Sequence, residues 1–193
     1  MSNIIISMDE ITSLDFSHLS RFIPEKYKFF FNGYPGFAPY RLLAYSSTLF
    51  NNKILIEVGV HNGWGSLAMS FNKSNTIVGY DINISTLDTK IRDENPNITF
   101  KEGISHEIDP EIILNSPFIH LDTLHDGVYE GVFIDFLAKN NYKGVLLADD
   151  IHLNQDMEQF WESIKITKYD LTAIGHETGS GLVCFDNQEL YIK

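Results

Sequence analysis

Two apolar runs in this chain end in acids. Asp122 closes Phe118-Ile-His-Leu, and Asp149 and Asp150 close Val145-Leu-Leu-Ala. Grouped carboxylate oxygens are hard ligands that suit Mg²⁺, an ion that keeps several waters and leaves room for substrate oxygens. Carboxylates at close range repel one another, and a divalent ion relieves that repulsion. His125 follows Asp122 by three residues. An imidazole that titrates near neutrality can take a proton from a hydroxyl. Capping of a turn by Asp149 or Asp150 and a structural role for His125 stay open on the residues alone. His152, just past the acid pair, is a weaker rival as base or ligand. His106, His120 and His176 carry no comparable argument for chemistry.

A second cluster lies earlier, in Glu57-Val-Gly59-Val-His61-Asn-Gly63-Trp-Gly65-Ser66. Glycines let backbone approach a ligand closely, and a helix start offers unpaired N–H groups to an anion. The spacing G-x-x-x-G-x-G differs from the G-x-G-x-x-G of a dinucleotide site, and no Gly-Lys-Ser/Thr follows as in a P-loop. Asp81 ends the next apolar run, where a carboxylate can accept from ribose hydroxyls. It could equally cap a helix. Turn and acid, one strand–helix unit apart, together favour a nucleoside ligand. His61 lies in the turn and is placed to line the same pocket.

The elements that must position these groups are short apolar runs with helical stretches between them. The runs are 54–58, 76–80, 98–101, 118–121 and 144–148. Apolar runs that do not alternate are expected of parallel strands buried on both faces. Met157, Phe160, Trp161 and Ile164 recur at helical spacing and read as core. Residues 169–174 and 181–185 read as strands joined by a link too short for a helical crossover, hence antiparallel. In open α/β sheets, ligands bind beyond the carboxyl ends of the strands, where strand order switches. Glycines and polar residues of this chain gather at those ends. Residues 1–50 differ in character: they are rich in aromatics, are broken by Pro35-Gly36, and resume as a helix from Tyr40. Either they form a lid with Tyr34 and Tyr40 near the site, or they are packing over the sheet.

The 193 residues suit one domain, with 1–50 as a helical cap and 53–193 as the core. Fourteen Lys and Arg against 26 Asp and Glu give a net charge of −12. That balance, with no basic patch, argues against nucleic-acid or membrane-surface partners. The single cysteine, Cys184, excludes an internal disulfide and suits a reducing, cytoplasmic setting. No run approaches the ~20 apolar residues of a membrane span. Oligomeric state is open, a homodimer included.

Glu57-x-Gly59-x-x-x-Gly63 after a strand, with an acid ending the next strand, resembles class I S-adenosylmethionine-dependent methyltransferases over about residues 53–185. Within them the pattern is similar to small-molecule O-methyltransferases of the catechol O-methyltransferase type and a related set with sugar substrates. The resemblance implies an α/β, doubly wound, Rossmann-like sheet of seven mostly parallel strands ending in an antiparallel hairpin. It implies S-adenosylmethionine held by Glu57, Gly59, His61, Gly63, Ser66, Asp81, Ser105 and Asp122. Gly103-Ile-Ser105 is similar to a Gly-Ala-Ser beside the adenine in that family. It further implies Mg²⁺ at Asp122, Asp149 and Asp150, with His125 at the offset of a lysine base. Two departures stand out: Gly65 replaces a frequent hydroxyl residue, leaving Ser66 to serve, and Asp150 replaces an asparagine. The expected activity is metal-assisted methyl transfer to a hydroxyl of a small molecule. A metal-independent methyltransferase and a non-catalytic cofactor-binding scaffold are the rivals, and the glycine spacing disfavours an oxidoreductase.

Overall fold

The computed structural model describes residues 3–186 and 188–193. Its strands are β1 (Ile4–Ile6), β2 (Ile54–Val58), β3 (Thr76–Asp81), β4 (Ile98–Glu102) and β5 (Phe118–Leu121), then β6 (Val145–Asp149), β7 (Lys168–Asp170), β8 (Ser180–Cys184) and β9 (Leu190–Ile192). The helices that precede and separate the first strands are α1 (Met8–Ser13), α2 (Lys28–Asn32), α3 (Tyr40–Thr48), α4 (Trp64–Met69) and α5 (Thr89–Glu94). Later in the chain come α6 (Ser105–Ile108), α7 (Pro110–Asn115), α8 (Val128–Lys139) and α9 (Gln155–Ser163).

Seven strands form one sheet in the order β4-β3-β2-β5-β6-β8-β7. The first five in that order are parallel, while β8 runs antiparallel to both β6 and β7. Strand order reverses between β2 and β5, so the switch point lies beyond Val58 and Leu121. This is the doubly wound α/β sheet with a C-terminal hairpin that the sequence leads one to expect. One small element goes beyond it: β1 and β9 pair in parallel as a separate two-stranded ribbon that joins the two ends of the chain.

The central strands are buried along their length because helices cover both faces. On one face Leu55, Ile77, Phe118 and Leu147 pack with residues of α3, α4 and the N-terminal segment. On the other, Ile56, Val78, Ile119 and Leu146 pack against Phe133, Leu137, Met157 and Trp161. Met157, Phe160 and Trp161 are thus core, as their spacing predicts. Phe16, Phe22 and Phe31 of the N-terminal segment are buried in the first layer, so most of that segment is packing. Tyr34 is exposed.

The hairpin departs from expectation. Residues 169–174 do not continue as a strand, because the Asp170 carboxylate turns back to accept from the Thr172 N–H at 2.9 Å. Leu171 then accepts from both Ile174 N and Gly175 N, which closes a turn. The link between β7 and β8 is therefore longer than the sequence suggests. It carries His176 and Thr178 to the carboxyl end of β6. The helix after the glycine turn starts at Trp64, where the Asn62 side chain accepts from the Trp64 N–H.

Candidate functional site at the strand switch point

Gly59 fixes the floor of the site. Its φ is +87°, and a Cβ there would collide with the Asp122 carbonyl. The turn after β2 can lie against the chain leaving β5 only because that position has no side chain. Asp122 N donates to Val58 O at 2.8 Å, which ties the same two chain exits together. Asp81, at the end of β3, accepts from Val60 N at 2.8 Å and His61 N at 3.0 Å through one oxygen, and from Asn83 N at 3.0 Å through the other. It shapes the glycine turn and caps no helix.

These exits enclose a cavity of about 370 Å³. Gly59, His61, Asp81 and Asp122 line it, as expected of cofactor residues. Ile82, Leu124 and Tyr129 line it too and were not singled out. The one sequence signal for Ile82 is its place directly after the strand-end acid Asp81. Gly103 lines the cavity, whereas Ser105 does not: it is buried and its hydroxyl has no partner among the described residues. Gly63 packs instead toward Leu87 and Ile91.

Glu57 and Ser66 do not line this cavity. The resemblance puts them on the cofactor, but they are 1% and 0% exposed and bonded to each other, Ser66 Oγ donating to Glu57 Oε2. The reason is Gly65. A Cβ there would overlap Glu57 Oε1, so the glycine leaves space for the carboxylate to tuck beneath the turn. Glu57 Oε1 then lies 3.3 Å from Nδ1 of His120, also 1% exposed. Burial pushes the Glu57 carboxyl above its usual range. Burial lowers the pKa of His120, but Glu57, Asp122 and Asp149 together outweigh it and the net direction is upward.

The acids at β5 and β6 do converge. His125 Nε2 lies 3.1 Å from Asp122 Oδ1 and 3.3 Å from Asp150 Oδ2, although its N–H direction makes no aligned hydrogen bond with either. His176 Nδ1 lies 3.2 Å from Asp149 Oδ1 and 3.1 Å from Asp150 Oδ1. Thr178 donates to Asp150. Three His–carboxylate groupings result: His120 with Asp122 and Asp149; His125 with Asp122 and Asp150; His176 with Asp149 and Asp150. Sequence reasoning passed over His120 and His176. His152, the proposed rival, turns to Asp170 at 2.8 Å.

The imidazoles alter the electrostatics of the acids. The Asp122 contact holds His125 above its usual value. Burial lowers the pKa of His176, but Asp149 and Asp150 more than reverse that and raise it to about 10. Burial pushes Asp149 up. On Asp150, burial is outweighed by hydrogen bonds from His176 and Thr178, which hold it below the usual range. Tyr40, at the start of α3 and stacked on Phe31 at 4.3 Å, is kept protonated by burial and by the nearby charges of Asp122, Asp149 and Glu57. Among the described residues, five non-glycine positions have positive φ, and three of them, His61, His125 and Asp150, stand on this rim. Such backbone costs about 1–2 kcal/mol per residue and collects at functional sites.

No family model matches the sequence, and no curated protein matches it closely enough to count as a relative. Solved structures do match in fold. The chain is similar to a methyltransferase from Podospora anserina bound to S-adenosylhomocysteine, with 13% identity, 89% of this chain and 97% of that one covered, and a TM-score of 0.57. It is similar to an O-methyltransferase from Bacillus cereus in complex with S-adenosylhomocysteine, at 13% identity, 74% and 77% coverage and a TM-score of 0.52. An RNA methyltransferase from Salinibacter ruber, also with S-adenosylhomocysteine, matches at 12% identity, 77% and 91% coverage and a TM-score of 0.53. The chain has the Rossmann-like fold of class I methyltransferases. Among the described residues no helix is long and apolar enough to cross a membrane.

Proposed function

We propose that this chain transfers a methyl group from S-adenosylmethionine to a hydroxyl of a small molecule. The observation that carries the reading is the convergence of Gly59, His61, Asp81 and Asp122 on one cavity at the switch point, with His125 on the same rim. Methyltransferases with bound S-adenosylhomocysteine recur among the fold neighbours. When bound, the donor supplies an electrophilic methyl carbon on sulfur.

The chain's residues divide the remaining work. Asp81 has lone pairs to spare beyond its backbone bonds and accepts from ribose hydroxyls. Ile82, Leu124 and Tyr129 give apolar surface to a purine ring. The Asp122 carboxylate provides negative charge opposite the sulfonium. His125 Nε2 takes the hydroxyl proton of the acceptor as its oxygen bonds to the methyl carbon and the carbon–sulfur bond breaks. Asp122 and Asp150, 3.1 and 3.3 Å from that nitrogen, stabilise the imidazolium that forms. Holding oxygen and methyl together can account for up to about 7–11 kcal/mol of the barrier.

The Mg²⁺ of the resemblance does not fit well. Magnesium favours all-oxygen surroundings, and here three imidazoles face the three acids. The RNA-modifying neighbour leaves a polyanionic acceptor as a second class, but the charge of −12 and the acidic rim weigh against it. One cysteine fits a reducing, cytoplasmic setting.

Calorimetric titration with S-adenosylhomocysteine and, separately, NADH tests the donor half. Binding of the first alone is expected; binding of NADH alone removes the reading. A panel of hydroxyl acceptors with S-adenosylmethionine then separates an enzyme, which yields methylated product, from a scaffold, which yields none.

A further inference from the structure

We propose that His120, Asp122 and Asp149 form a binding site for a divalent transition ion of the manganese, iron, cobalt and zinc class, with Glu57 as the group that orients His120. One ligand atom from each of the three lies within 4.8 Å of the others. Acid clusters alone are commonplace. This one has a second feature, a buried nitrogen without a partner. His120 is 1% exposed, and its Nε2 has no hydrogen-bond partner among the described residues. Nδ1 is already committed to Glu57, so Nε2 is the nitrogen left to face Asp122 and Asp149.

A buried polar atom without a partner costs about 1–3 kcal/mol, so a folded chain normally supplies one. An ion would, displacing any proton on Nε2 as it binds. The surroundings match what such a ligand needs. Metal-binding histidines usually donate the other ring N–H to a carboxylate, which fixes tautomer and ring angle. Glu57 does this from the second ring nitrogen, and Ser66 holds Glu57. The Ser66–Glu57–His120 line thus ends at the acids. Imidazole nitrogen selects borderline ions over magnesium, which prefers oxygen. Asp149 is nearly sealed while the Asp122 side chain is 38% exposed, so one side of the site opens to solvent.

The test uses the purified full chain with Co²⁺ as probe and needs neither methyl donor nor acceptor. Its failure would leave the S-adenosylhomocysteine titration standing, and the reverse holds. Proton NMR of the Co²⁺-loaded chain should show a strongly shifted, slowly exchanging imidazole N–H, the Nδ1–H that Glu57 accepts. Co²⁺ should stay bound under a millimolar excess of Mg²⁺. Asp122→Asn, at the open edge, should lower Co²⁺ affinity by about tenfold or more. His120→Gln should abolish the shifted signal in a chain whose circular dichroism is unchanged. Displacement by Mg²⁺, absence of the shifted N–H, or full affinity in Asp122→Asn would each overturn the proposal. A signal that survives His120→Gln would give the ion to His125 or His176 and overturn it too. If His120→Gln does not fold, the wild-type NMR signal and Asp122→Asn still decide the matter.

Discussion

Asp81 offers the sharpest test of the site, because it binds its own chain and, in our reading, the ligand. It accepts three backbone N–H groups, from Val60, His61 and Asn83, at 2.8–3.0 Å. Hydrogen bonds to a charged group contribute about 1.5–3 kcal/mol each when sheltered, less where water competes. Asp81 is half-buried, so the lower end applies. Asp81→Ala frees the glycine turn and removes the ribose acceptor together. Affinity for S-adenosylhomocysteine should fall by about 2–3 kcal/mol, or roughly 30–150-fold. Asp81→Asn keeps one acceptor oxygen. Turned toward Val60 and His61 it preserves the turn and forfeits the Asn83 bond, so a loss of about 1 kcal/mol, roughly fivefold, is expected. Calorimetry reads the affinities. Hydrogen exchange at the Val60 and His61 amides reads the turn, and should quicken in the alanine variant far more than in the asparagine variant. A folded Asp81→Ala chain that binds S-adenosylhomocysteine as tightly as the parent would refute the reasoning.

His125→Gln should lower kcat by about 10²–10⁴-fold with S-adenosylhomocysteine binding retained, and an unchanged kcat would remove His125 as base. Gly59→Ala forces a side chain into the Asp122 carbonyl at positive φ. It should lose at least about 1–2 kcal/mol in urea denaturation, along with cofactor binding, and a neutral result would contradict the packing of β2 against β5. Asp109 accepts from Lys101 at 2.6 Å and Tyr80 at 2.9 Å, and Lys101 chiefly holds its carboxyl below the usual range. That stabilisation is complete above the unfolded value of about 3.9 and fades as pH falls through the lower folded value. Asp109→Asn should therefore cost about 0.5–1 kcal/mol at neutral pH and narrow that gap in acid; a gap that widens in acid would reverse the sign argued here. Gly65→Ser, which restores the hydroxyl frequent in the resembling family, should destabilise the chain, because the new Cβ meets Glu57. A gain in stability would show that Glu57 has somewhere else to go.

Strand positions were legible because both faces of the sheet are buried: Ile54–Val58, Phe118–Leu121 and Val145–Asp149 read as apolar runs whatever covers them. The convergence of Asp122, Asp149 and Asp150 followed from strand ends alone. His176 was not legible. Its place depends on Asp170 breaking the strand before it, a side chain–backbone bond with no periodic signal. His120 was hidden differently, inside an apolar run where a histidine reads as filler. Only the register that sets it opposite Glu57 reveals a partner.

The glycine at position 65 accounts for the placement of both Glu57 and Ser66. Read as motif, it is a missing hydroxyl that Ser66 replaces. Read as volume, it is the space that Glu57 occupies. Once Glu57 is beneath the turn, Ser66 is bonded to it and unavailable to a ligand, and His120 is held from one side with its other nitrogen toward the acids. The departure from the family pattern and the buried line to the rim are then one physical fact. A chain that only bound a nucleoside would have no use for a carboxylate, a hydroxyl and an imidazole aligned in its interior. The alignment makes sense where the rim must hold positive charge against three acids, as histidinium at His176 and as an ion on His120.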